Sequence, residues 1–516
     1  MKLLILIFAA SICLRAQGSD PTQTVLSIQN AIQRGDLVSA SRLIDAALEK
    51  QPGNGGLLNL RGIVHAQRNE LPEARRDFAE AVRRAPDLMP AWQNLARACQ
   101  FETPSDASSV SCAVDAWQHV LRSKPDDGEA HGALASLYET QGKYRESLRE
   151  TERLSAGEAS EVGNLAIRCI DLCALDRISE AKTVASRLAA LAEFSESDFN
   201  GMYRSLGSPP SAPVVVILIE GLDTRRGASP SGLRRLAVAY EAVHRPLDAS
   251  KTLERVASQE PDNVADLLEL ARLADRTKDH QGALGYLAHA RDIEPNNARI
   301  HFLFAMTAAE MDLPVEARRS LDRALALDPE NPDYNYAMGS VILTTRDAAT
   351  ASRYFEKFVK ARPADPRGHY ALGVASFASG DYENAKQEMR KVENNRATAG
   401  GAEYFLGRIA FLEDQLDEAA LHLRKSIELM PSDSYSHTEL ARLLMREGKL
   451  EEAHLELERA VSLDPKNFQG NAQLLVLYKR THDRRAEKQA ELLKKLDQER
   501  SERADLMLRT VEVRPQ

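Results

Sequence analysis

What most restricts this chain is a ladder of small residues at a fixed stride. Ala249, Ala283, Ala317, Ala351, Ala385, Ala419 and Ala453 recur every 34 residues, and the same stride run backward meets Val215, Ala181, Ser147 and Ala113. One interval of 39 then leads to Ala74 and Ala40. Prolines keep the same time at Pro261, Pro295, Pro329 and Pro363, skip a beat at Ala397, and resume at Pro431 and Pro465. Thirteen copies of one unit are therefore in phase, with a single five-residue insertion. Such a unit cannot bury its apolar face alone, and stacking neighbours makes the core continuous.

The unit reads as a pair of helices. Between Ala298 and Asn331, positions His301, Phe304, Ala305 and Ala308 fall at i, i+3, i+4 and i+7, counting the carbon face of the imidazole as apolar. A turn follows near Asp312. Ala317, Leu321 and Ala324 then form a second stripe, which Asp328 and Pro329 stop. Gly35, Gly142, Gly380 and Gly448 occupy the turn in other copies, where positive φ is needed. Gly62, Ala96, Ala271, Ala305, Gly339, Gly373, Gly407 and Ala441 recur inside the first helix, and their lack of bulk predicts close approach of the second. The expected fold is all-α, an α-solenoid superhelix of about thirteen helix-turn-helix repeats with a C-terminal capping helix.

Composition agrees. Aromatics make up 5% of the 516 residues, which argues against a β-rich fold. The net charge of −9 is spread along the chain, and no basic block points to nucleic acid. Beyond the N-terminus no apolar run approaches the ~20 residues of a membrane span.

The 34-residue stride with these small and aromatic positions resembles the tetratricopeptide repeat, with its W-x2-L-G-x2-Y…A-x3-F…P template. The match is best at "YNYAMGSVI…ASRYFEKFVKARP" and "SHTELARLL…EEAHLELERAVSLDP" and extends over about nine tenths of the chain. It departs at the fourth position, where Trp92 alone keeps the large aromatic clearly, and the copies from 128 to 229 are degenerate.

Five segments follow. Residues 1–18 carry Lys2, an apolar run from Leu3 to Ile12 and then small residues, and read as a secretory signal peptide cut after Ala16 or Gly18; an uncleaved anchor and a lipoprotein using Cys13 are the alternatives. Residues 21–195 form an N-terminal block with the insertion inside 100–112, 196–229 a degenerate repeat or junction, 230–467 a regular block, and 468–516 capping helices and a tail. "PVVVILIEGLD" (213–223) has strand propensity, yet Val215, Ile219 and Leu222 fall on second-helix positions, so it is expected to be helical. Leu492, Leu493 and Leu496 form the apolar stripe of the final capping helix.

No motif for hydrolysis, phosphate cradling or metal binding stands in the chain, so no catalytic residue, cofactor or metal is expected. Cys169 and Cys173, at i and i+4, read as buried small residues. Cys99 and Cys112 bracket the insertion, and in an exported protein they are expected to form a disulfide. The insertion they enclose is itself a candidate contact surface.

What remains is a surface. The resemblance implies that first helices line a concave groove. Its fifth position gives Phe302, Tyr336, Tyr370 and Tyr404, its twelfth Leu343, Phe377 and Phe411, and its ninth and thirteenth Arg408, Arg442 and Arg446. As a ladder these rings suit an extended peptide, and the arginines suit a carboxylate. The alternative is that each ring packs on the neighbouring repeat. The Lys and Asn set with which some family members clamp a C-terminal carboxylate is not reproduced. The expected function is a secreted, periplasmic, non-enzymatic scaffold for a protein or peptide partner. An accessory of an envelope glycan-export or sugar-transferase system and a structural spacer are the rivals.

Overall fold

The structure, a computed structural model, describes residues 19–102 and 107–501. The expected signal peptide at 1–18 and the tail from 502 on lie outside the described residues. Twenty-eight α-helices, and no strand, occupy the described residues. They run as thirteen pairs, from Ser19–Gln33 with Leu37–Lys50 to Ser434–Arg446 with Leu450–Leu463, followed by Phe468–Arg480 and Ala486–Ser501. This is the all-α solenoid of helix-turn-helix repeats that the stride demands.

Local chemistry sets each boundary. A proline beat is followed two residues later by an Asn or Asp that caps the next first helix: Pro295 by Asn297, Pro329 by Asn331, Pro363 by Asp365, Pro431 by Asp433. Each cap contributes about 1 kcal/mol by accepting an orphan N–H. Where the beat is skipped at Ala397, the second helix Tyr382–Arg390 is only 9 residues long, and turns fill the remainder. The helix-to-helix turn puts a residue at positive φ at the same stride. Gly35, Gly142, Gly380 and Gly448 are there as expected, but so are Asn69, Asp176, His244, Lys278, Asp312, Arg346, Asp414 and His482.

The ladder residues are the helix contacts. All the ladder alanines are fully buried, as is Ser147. The small residue inside the first helix receives a large one from the second: a Cβ on Gly339 would lie 2.8 Å from Phe355, and one on Gly62 2.5 Å from Phe78. Residues 213–223 are helical within Ala212–Arg226, because Val214, Val215, Val216, Leu218, Ile219 and Leu222 are all buried and tertiary packing overrides β propensity. In the final helix Leu496 is buried, whereas Leu492 stands 41% exposed, so the apolar stripe is narrower than expected.

The chain divides into two compact units, one up to Thr252 and one from Leu253. The pair Glu196–Leu206 and Ala212–Arg226 lies inside the first. That unit has a core running from Ile28 to Leu137 around Phe78 and Trp117. In the second, one cluster runs continuously from Ala305 to Ile409 around Phe355, Phe358 and Phe405. There, first helices touch the first helices of the next repeat, so they form one layer. No helix among the described residues is long and apolar enough to cross a membrane.

Candidate functional site

The first-helix layer of the second unit carries all ten residues of the expected groove, and the structure separates them. Tyr336, Leu343, Tyr370 and Phe377 are 3%, 2%, 7% and 5% exposed, so they belong to the core and are not a peptide-facing ladder. Tyr336 meets the rings of Phe355 and Phe358, its own repeat's second helix, at 5.6 and 5.0 Å. Tyr370 and Phe377 meet Phe405 of the next first helix at 6.3 and 5.2 Å. Aromatic pairs at these distances add to the burial term. The physical reason is size: a ring at the fifth or twelfth position reaches a neighbouring helix and lays its area on it.

The rest remain at least partly open. Phe302 is half-buried, its ring 4.9 Å from Tyr334. Tyr404 and Phe411 are half-buried as well, under three guanidiniums: Arg408 lies 5.4 Å from Tyr404 and 4.6 Å from Phe377, and Arg442 and Arg446 lie 5.3 and 5.4 Å from Phe411. Burial holds the Tyr404 phenol above its ordinary range. The arginines have carboxylates of their own. Glu439, 3% exposed, takes Arg442 at 2.7 Å and Arg408 at 3.7 Å, and Asp414 takes Arg446 at 2.6 Å. Three cations thus share two anions.

Histidines near this face belong to a structural device that the sequence reading missed. At the fourth position an N–H group reaches the carbonyl of the proline six residues earlier: Trp92 Nε1 to Pro86 at 2.8 Å, Asn335 to Pro329 at 3.0 Å, Asn471 to Pro465 at 3.1 Å. The Nε2 atoms of His131, His301 and His369 stand 2.8 to 2.9 Å from Pro125, Pro295 and Pro363. Loss of the large aromatic therefore leaves its essential part, a donor for the last carbonyl of the preceding turn. In His131 and His369 the other ring nitrogen, Nδ1, meets a second-helix carboxylate nineteen residues on, Glu150 and Glu388, and Nδ1 of His437 meets Glu456 at the same spacing. His422 and Glu403 make the same pair with the roles exchanged. The repeated spacing of 19 was the signal available. His369 and His437 are thus occupied in packing; Nε2 of His437 is buried with no hydrogen-bond partner.

At the first helix Pro366–Ser379, Arg367 forks onto Asp365, and this hydrogen bonding holds the Asp365 carboxyl below its ordinary range. In the first unit, Cys99 and Cys112 are joined as a disulfide across the helices Met89–Glu102 and Ala107–Ser123. The described parts of the insertion, 100–102 and 107–112, are helical, and 103–106 lie outside the described residues. Cys169 and Cys173 are buried and unbonded.

Tetratricopeptide-repeat family models match residues 27–88, 276–341, 336–402 and 434–467. With the helix pairs in phase between and beyond those matches, the family is decided. The chain is a tetratricopeptide-repeat protein. No curated protein matches it. Among solved structures, a tetratricopeptide repeat protein from Parabacteroides merdae is 16% identical, with a TM-score of 0.40, covering 52% of this chain and 98% of its own. The Cut9–Hcn1 hetero-tetramer of the APC/C is 13% identical with a TM-score of 0.38, covering 90% and 96%. Yeast Tom70 is 18% identical with a TM-score of 0.33, covering 90% and 94%. Tetratricopeptide repeats suggest a protein-interaction scaffold.

Proposed function

We propose that this tetratricopeptide-repeat protein is a non-enzymatic scaffold that takes an acidic, extended segment of a partner on its first-helix face, at Tyr404, Arg408, Phe411, Arg442 and Arg446. The observation that carries the reading is the imbalance of charge: Arg408 and Arg442 share Glu439, and Arg442 and Arg446 keep side chains 35% and 46% exposed above the Phe411 ring. A carboxylate placed there gains a planar, charge-assisted partner and an apolar floor. The work of the mature chain lies outside the cytoplasm, a reading supported by the signal-like residues 1–18 and by the Cys99–Cys112 pair.

The test is binding of fluorescent ten-residue peptides of graded charge, read by polarisation. Acidic, aromatic-containing peptides should bind, and Arg442→Ala with Arg446→Ala should weaken them at least tenfold while helical circular dichroism is kept. Arg446 is safe to remove, because an exposed ion pair contributes about 0.5 kcal/mol or less to stability. Equal binding by the double variant sinks this site. Absence of binding by any peptide replaces the scaffold reading with that of a spacer.

A further inference from the structure

One cluster outside that face differs in kind from the other histidine pairs. His280 opens the second helix His280–Ile293; Asp275 stands near the end of the preceding first helix Val264–Arg276; Glu310 ends the first helix of the next repeat, Ala298–Glu310. The turn between Asp275 and His280 is closed by Lys278 at φ 64°, and Asp279 caps the helix by accepting from the Gly282 N–H. This turn folds the imidazole back over Asp275, and stacking of the next repeat brings Glu310 to the same point. The three ligand atoms lie within 4.8 Å of one another.

The distances set this cluster apart. In the structural pairs of His131, His369, His422 and His437, one ring nitrogen meets one carboxylate at 2.5 to 2.7 Å, the length of a charge-assisted hydrogen bond. At His280 a single atom, Nδ1, faces two carboxylates from two repeats, at 3.2 Å to Asp275 Oδ1 and 3.5 Å to Glu310 Oε2. Both separations are long for such bonds. They match the edge, about 3.3 Å, of a tetrahedron of ligands around an ion with bonds of about 2.0–2.1 Å. The second oxygen of Asp275 accepts from the Thr307 hydroxyl at 3.1 Å, which turns Oδ1 toward the common centre, as outer-shell partners of metal ligands do. The side chains are 28%, 19% and 32% exposed, so an ion can enter from solvent and keep a water or a partner's ligand in its remaining position.

We propose that Asp275, His280 and Glu310 bind one divalent transition-metal ion, with zinc as the reference, through one nitrogen and two oxygens. The ion fastens one repeat to the next. Sequence spacing hides the site, because the ligands stand 5 and 35 residues beyond Asp275 and match no linear metal motif.

The test uses the untagged full chain, stripped with a chelator, dialysed and titrated with zinc chloride by calorimetry. One ion per chain should bind, and the thermal midpoint should rise with added zinc. His280→Ala and Glu310→Gln should each weaken binding at least tenfold and abolish the rise, while the exposed helix histidine variant His289→Ala should behave as wild type. Should His280→Ala lose its helical circular dichroism, Glu310→Gln decides, since it keeps the shape of an end-of-helix side chain. Absence of a one-equivalent transition in the wild type overturns the proposal. So does zinc binding that survives both substitutions, which would assign the ion elsewhere, including to the buried Cys169 and Cys173.

Discussion

Two first helices of the second unit, Val264–Arg276 and Pro332–Thr344, hold the same register in their repeats and meet water differently. In the first, Ala265, Arg272 and Arg276 are exposed and Leu268 and Glu269 half-buried, leaving an open stripe. In the second, every residue from Tyr334 to Leu343 is buried. The difference lies in side-chain reach. Where Leu268 and Arg272 stand in one repeat, Tyr336 and Ser340 stand in the other, and the Tyr336 ring covers ground that a shorter side chain leaves open. A first-helix face is a binding surface only where its own residues do not fill it.

Substitutions at matched positions put this contrast to the test. The largest effect is expected at the fifth position. Tyr336→Ala should cost about 3 kcal/mol in chemical denaturation, the scale of a truncated core aromatic, and Leu268→Ala about a third of that. Equal costs would mean that the two helices are packed alike. Next is the small-residue seat. Gly339→Ala sets a methyl against Phe355 and should cost about 2 kcal/mol by overpacking. Its counterpart Ala271→Gly should cost about 1 kcal/mol, through helix propensity.

The tenth position extends the comparison to the first unit. It is Leu273 in one of the two helices and Val341 in the other, both buried, but Asp171 in the helix Val162–Ala174. Asp171 is fully buried, and burial pushes its carboxyl up to about 7 against the lowering influence of the Ser147 hydroxyl. The unfolded chain ionises near 3.8 and the folded chain near 7, so between those values the folded state holds the extra proton. Stability from this group is complete below pH 4, falls as pH rises to about 7, and stays low above it. Asp171→Asn should flatten that slope and raise stability at pH 8 by about 2 kcal/mol. A variant with an unchanged pH profile would show that Asp171 is solvated. The smallest effect is expected at the turn. His244 holds φ at 60°, a conformation that costs an L-residue about 1 kcal/mol, so His244→Gly should raise the unfolding midpoint by the equivalent of about 0.5–1 kcal/mol.

The sequence was legible wherever one local rule decides the outcome. Proline stops, Asn and Asp caps and the ladder of alanines each act within one repeat, so stride, helix pairs and the close approach at Gly339 could be read directly. Even 213–223 was readable as helix, because phase in the repeat outweighed its valines. Positive φ was legible only where glycine marked it. At His244 and Arg346 the geometry of the turn imposes it on residues that carry no such mark.

The candidate site was legible in part. Sequence register put Tyr336, Tyr370 and Phe377 on the same face as Tyr404 and Phe411, but whether a ring faces solvent or a neighbour depends on what the next repeat presents. Phe405 draws Tyr370 and Phe377 inward. Glu439 stands one turn before Arg442 in the same helix, but only stacking brings it beside Arg408 of the preceding first helix. By itself, then, the sequence determined the repeat, its period, its helix pairs and its family, since these rest on contacts between residues at fixed separations. Only the tertiary structure decided which first helices are filled, which arginines keep unbalanced charge, and that Asp275, His280 and Glu310 converge. Those depend on distances between repeats, which stacking sets and linear spacing does not encode.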